Sequence, residues 1–158
     1  MSWALPLLPH NTTGSSTCSA VSAHGSTIVG DRYGSPDGIY VAPSGRLWIQ
    51  TDVSSSTIDK GAYAGFGNNQ MLCADPSTRE TRRFLVGPKG CEITGVVASP
   101  DEKVLFVGIQ HPGEAPSGDN DPANPKRFSS WPDGADGGRP RSALLAVTRN
   151  DGGVVGAA

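Results

Sequence analysis

The sequence predicts an all-β fold of about two four-stranded antiparallel meander blades of a β-propeller, incomplete as it stands. Three observations predict it. Glycine supplies 21 and proline 13 of the 158 residues. These residues cost roughly 1 and 3 kcal/mol each inside a helix, which excludes helical bundles and coiled coils. The apolar residues fall in short runs bounded by turn residues. Finally, the plan of one half recurs in the other: Gly38–Leu47 lies over Gly95–Val104, each reading glycine, apolar strand, Pro turn, basic residue, apolar strand.

Residues 1–36 are mostly Ser, Thr, Gly and Pro and read as irregular lead-in, with a short strand at Ser26–Val29. The first blade occupies 37–87. Ile39–Ala42 is its opening strand, Pro43-Ser44-Gly45 a tight turn, and Arg46–Thr51 alternates Leu47 and Ile49 against Arg46, Trp48 and Gln50. A polar loop, 54–68, leads to a strand at Gln70–Ala74, a turn at Asp75-Pro76-Ser77-Thr78 and a return strand at Thr81–Val86. The second blade occupies 88–158. It repeats the opening hairpin through Gln110, breaks into a Pro-, Gly- and Asp-rich loop at 112–141, and resumes at Ser142–Thr148. Asn150-Asp151-Gly152-Gly153 then turns into a last short strand at Val154-Val155. A loop of this length is characteristically functional or disordered, and in a propeller it would lie over one rim. Propellers close with four to eight blades, so the chain is expected to be part of a larger protein; a small β-sandwich is the alternative.

Composition narrows the function classes. With 13 basic and 15 acidic residues and no block of like charge, nothing favours nonspecific nucleic-acid or membrane-surface binding. No apolar run approaches the roughly 18 residues of a membrane span. The N-terminus has one apolar stretch, Trp3–Leu8, without the basic start and cleavage site of a signal peptide, so the chain as given is expected to be cytoplasmic. Cys18, Cys73 and Cys91 are too few and too dispersed for a disulfide scaffold or structural zinc site.

Candidate chemistry sits at strand ends. Asp37 precedes the first strand, Asp52 follows the second, and Glu92 opens the second blade. Carboxylates so placed suit a hard cation assembled from several blades. Asp52 equally fits a turn that bonds backbone amides. Glu92, between Cys91 and an apolar strand, is costly there unless paired or coordinated. Cys91 reads as a thiolate ligand or as a small buried hydrophobe, Cys73 as packing, and His111 as a loop anchor or part of a site. Arg139 and Arg141 flank Pro140, a spacing that presents two guanidinium forks to phosphate oxygens or simply two surface charges.

Six stretches in order carry a resemblance: Gly34-Ser35-Pro36-Asp37-Gly38; Gly45-Arg46-Leu47-Trp48-Ile49-Gln50-Thr51-Asp52; Gly67-Asn68-Asn69-Gln70-Met71-Leu72; Gly87-Pro88-Lys89-Gly90-Cys91-Glu92-Ile93-Thr94-Gly95; Gln110-His111-Pro112-Gly113-Glu114; and Arg139-Pro140-Arg141-Ser142. Together they resemble the C-terminal part of the PhoX-type alkaline phosphatases over about residues 30–156. That resemblance implies a β-propeller phosphomonoesterase, exported by the twin-arginine route to the periplasm or beyond, holding calcium and iron in its central opening. It further implies Glu92, Asp52, Asp37 and Asn69 as cluster ligands or their close neighbours, and Arg141 and Arg139 as binders of a phosphate monoester substrate.

There are departures. Family members run several times this length, and their iron-binding cysteine and several carboxylates lie in N-terminal blades that have no counterpart here. The first 30 residues match poorly. The expectation is therefore a C-terminal fragment with little or no phosphatase activity alone. Two rivals are a noncatalytic β-repeat module that self-associates through open blade edges, and a calcium-dependent lactonase-like propeller. The arginine pair speaks against the latter, because a neutral lactone does not call for two phosphate forks.

Overall fold

The computed structural model describes residues 29–157. Seven strands form two antiparallel sheets. The first comprises β1 (Pro36–Val41), β2 (Leu47–Thr51), β3 (Gln70–Asp75) and β4 (Glu80–Val86) in sequential order. The second comprises β5 (Glu92–Ala98), β6 (Val104–Gln110) and β7 (Ala143–Thr148). The loop after β2 contains one 3-10 turn, Gly61–Tyr63. No helix among the described residues is long and apolar enough to cross a membrane.

Each strand forms where apolar residues alternate between turn formers. In β6, Leu105, Val107 and Ile109 point into the core while Phe106 lies on the other face. The β1–β2 turn closes with Gly45 N–H donating to the Ala42 carbonyl at 2.8 Å, with Gly45 at φ 83°. The β3–β4 turn is held by the Asp75 carboxylate, which accepts from Ser77 N–H at 2.8 Å. In β5, Gly95 takes φ 46° where the register against β6 slips between Thr94 and Val96, a bulge that a side chain would strain.

The two sheets pack through β5, which lies against β1, β2 and β3. Between them sits one core: Trp48, Met71, Leu85, Ile93, Leu105, Val107 and Ile109 are all buried, with Phe84 edge-on to Trp48 at 4.9 Å. The far rim is closed by a second link. Ser44, in the β1–β2 turn, donates through N–H and Oγ to the two carboxylate oxygens of Glu102, in the β5–β6 turn, each at 2.6 Å.

Two expectations are corrected. The second meander has three strands, not four, and Val154-Val155 is not a strand. After the turn at Gly152, Val155 plugs the core at 2% exposure, and its N–H donates to the Glu102 carbonyl at 2.9 Å instead of extending a ladder. Gly156 lies so close to Trp48 that a Cβ would stand 2.8 Å from the indole. Residues 29–36 of the lead-in are described. Of the expected strand at Ser26–Val29, residues 26–28 lie outside the described residues, and Val29 accepts from Thr81 N–H at 2.9 Å. Gly30 forms a parallel bridge to Thr81, which covers part of the outer edge of β4.

Candidate functional site at one rim

Strand directions and register decide where the predicted residues fall. The turns at Ser44 and Glu102 meet at one end of the molecule. The opposite end therefore collects the starts of β1, β3, β5 and β7 and the ends of β2, β4 and β6. Asp37 is the extra residue of a bulge at the start of β1, beside the Pro36–Thr51 pair. Asp52 follows β2, its N–H donating to the Ser35 carbonyl at 3.0 Å. Asn69 precedes β3, Glu92 opens β5 opposite Gln110, and Arg141 sits two residues before β7. His111 N–H donates to Ser142 Oγ at 3.0 Å across that end of β6 and β7. The fold thus gathers Asp37, Asp52, Asn69, Glu92, Arg139 and Arg141 along one rim, from residues spread over more than half the chain.

Their environments differ. Asp37 and Asp52 are exposed, and neither carboxylate has a hydrogen-bond or ion-pair partner among the described residues. Glu92 is the sheltered one, with a side chain 13% exposed and Oε2 lying 3.4 Å from His111 Nε2. His111 takes φ 36°, a left-handed backbone that a histidine adopts only where its surroundings impose it. Its Nδ1 is buried without a hydrogen-bond partner, Glu114 Oε2 standing 3.8 Å away. The loop carrying Glu92 is stitched to the segment after His111: Gly113 N–H donates to the Lys89 carbonyl at 2.8 Å, and Glu114 N–H to the Gly90 carbonyl at 3.3 Å. His111 was legible as a loop anchor; its approach to Glu92 required the β5–β6 register.

Asn69 is a clasp. Its Oδ1 accepts from Thr51 Oγ1 at 2.9 Å and Val53 N–H at 2.7 Å, and its Nδ2 donates to the Val53 and Cys91 carbonyls at 3.0 and 2.9 Å. Those bonds occupy the amide, so the ligand role implied for Asn69 does not fit this geometry. Cys91 is buried, and burial chiefly pushes its thiol up to about 12, with the Glu92 charge adding. A buried thiol held protonated packs as a small hydrophobe.

The two arginines diverge. Arg141 grips the Asp133 carboxylate with both terminal nitrogens, Nη2 at 3.0 Å from Oδ1, and that hydrogen bonding raises its pKa further. Arg139 makes no ion pair among the described residues. It lines a cavity of about 630 Å³ inside the long loop, with His111, Glu114, Arg127 and Phe128. The Arg127 guanidinium lies 5.1 Å from the Phe128 ring centre, and Glu114 and Asp121 line the same cavity, so its wall carries both signs of charge.

Whether these residues suit a metal is a question of donor type and number. Unpaired carboxylates at a rim suit calcium or ferric iron in kind. In number they do not complete a sphere: among the described residues no three His, Cys, Asp or Glu side chains come together closely enough to hold an ion.

Comparison with known proteins completes the picture. A family model described as "Alkaline phosphatase PhoX" matches residues 9–113. The match starts upstream of the motifs, takes in residues 9–30, and stops short of Arg139 and Arg141. No curated protein matches. Among solved structures, Pseudomonas fluorescens PhoX, in complex with vanadate as a transition state analogue, is 55% identical with a TM-score of 0.63. The alignment covers 77% of this chain and 19% of that one, so the chain spans about a fifth of the length of this relative.

Proposed function

The chain belongs to the PhoX family of alkaline phosphatases, and we propose that it forms part of a phosphomonoesterase site, inactive until the rest of that site is supplied. The supporting observation is the convergence of Asp37, Asp52 and Glu92 with Arg139 and Arg141 on one rim of two blade-like sheets. Asp52 and Glu92, with Asp37, would contribute oxygen ligands to a calcium and iron centre whose remaining ligands lie outside the chain. Bound metal of this kind polarises a phosphoryl group. Arg139 is the available guanidinium for phosphate oxygens, and Arg141 joins it when Asp133 gives way. Vanadate mimics a phosphoryl group in transfer, so the relative's complex supports the same reaction class.

The test is an assay of the purified chain with a chromogenic phosphate monoester in the presence of calcium and ferrous iron. Turnover at background level is expected; robust turnover would show that these residues suffice. A second reading, a noncatalytic self-associating module, is favoured by Ile39 and Val41 on β1 and Leu144 on β7. These stand 70%, 62% and 68% exposed on edge strands.

A further inference from the structure

We propose that Asn69 is a positioning residue that sets the separation of Asp52 from Glu92. The proposal rests on the reading of those two carboxylates as cation ligands. Asn69 is 2% exposed, and its four hydrogen bonds are distributed in a particular way. Three go to Thr51 and Val53, the residues on either side of Asp52. The fourth goes to Cys91, the residue before Glu92. One buried side chain therefore joins the backbone that carries Asp52, in the first sheet, to the backbone that carries Glu92, in the second.

The surroundings make the join stiff. Gln70 N–H donates to Thr51 Oγ1 at 2.9 Å, fixing the hydroxyl that in turn donates to Asn69. Gly87 N–H donates to the Asn69 carbonyl at 2.8 Å, so the chain entering the Glu92 loop is tied to the same residue. The Cys91 thiol fills the space beside Gly87 where a Cβ would stand. Among the described residues Asp52 and Glu92 share no hydrogen bond or ion pair, and Asn69 is the side chain that bonds to the neighbours of both. Shortening Asn69 leaves two buried donors and two buried carbonyls without it, and both strand ends are then free to move. Partners that orient metal ligands without touching the ion typically govern affinity by about 10–100-fold.

The experiment titrates the full chain with terbium(III), a calcium-sized ion that seeks oxygen ligands, and follows amide hydrogen exchange in parallel. Asn69→Ala is expected to weaken terbium binding about tenfold or more and to speed exchange at the Val53 amide. Thr51→Val, which removes one bond to Oδ1 and the acceptor for Gln70 N–H, should weaken binding in the same direction, and Thr51→Ser, which keeps the hydroxyl, should retain it. Ser44→Ala loosens the sheets at the far rim and should leave terbium affinity unchanged, which separates positioning from general loss of packing. Folded Asn69→Ala or Thr51→Val protein with unaltered affinity would overturn the proposal. So would an equal loss in Ser44→Ala. Equal binding by the wild type, Asp52→Asn and Glu92→Gln would instead overturn the ligand reading itself, and unaltered exchange at the Val53 amide in folded Asn69→Ala would overturn the positioning role whether or not the isolated chain holds the ion.

Discussion

Single residues carry much of the connection between the sheets, through buried or half-buried polar groups that find partners across them. Glu102 is 8% exposed and receives two hydrogen bonds from Ser44. Glu102→Ala leaves the Ser44 amide and hydroxyl unpaired and is expected to cost about 1.5–3 kcal/mol, read by urea denaturation. Cys91 makes a different point. Its thiol pKa in the folded chain, about 12, stands above the ordinary 9.0 because burial disfavours the thiolate. The folded state thus holds the proton more tightly than the unfolded chain. This contribution is whole below pH 9 and is lost as pH rises from 9 toward 12. Stability measured across that range should fall more steeply for the wild type than for Cys91→Val. A neutral disulfide reagent should label Cys91 only as fast as the protein opens.

At the scale of elements, β6 is the keel of the second sheet. Leu105 is 1% exposed and Phe106, one residue on and facing the other way, is 37% exposed. Leu105→Ala should cost about 2–5 kcal/mol by opening a cavity in the shared core, and Phe106→Ala clearly less, by thermal or chemical unfolding. The long loop carries two exposed ion pairs, Arg127 with Asp119 and, at its exit, Arg141 with Asp133. Because the Asp133 carboxylate occupies the fork that phosphate would use, Asp133→Asn is expected to tighten binding of inorganic phosphate several-fold over wild type. Phosphorus NMR or calorimetry checks this, and weaker binding would mean that Asp133 orients Arg141 instead of competing for it. The strands themselves were legible in the sequence, because alternation between Pro, Gly and Asp turns marks them almost residue by residue. Val154-Val155 was not, since a pair of valines reads the same whether it extends a ladder or plugs a gap beside Trp48.

For the whole molecule, the consequence is incompleteness at its edges. β1 and β7 leave Ile39, Val41 and Leu144 uncovered, whereas part of the β4 edge is paired by the segment at Gly30. If the exposed edges associate, light scattering will show a concentration-dependent mass that Ile39→Lys reduces; a compact monomer throughout would dismiss that reading. The sequence by itself determined the all-β class, the repeated hairpin plan and the loop at 112–141, and it offered Asp37, Asp52, Glu92 and the arginine pair as candidates for cation and phosphate binding. These follow from local periodicity, turn chemistry and the short motifs shared with one family. Tertiary structure alone decided that Asp37, Asp52, Glu92 and the two arginines share a rim, that Asn69 is a clasp, and that Arg141 already holds a carboxylate. Each of those depends on partners brought together by strand register and sheet packing, which separation along a chain does not encode.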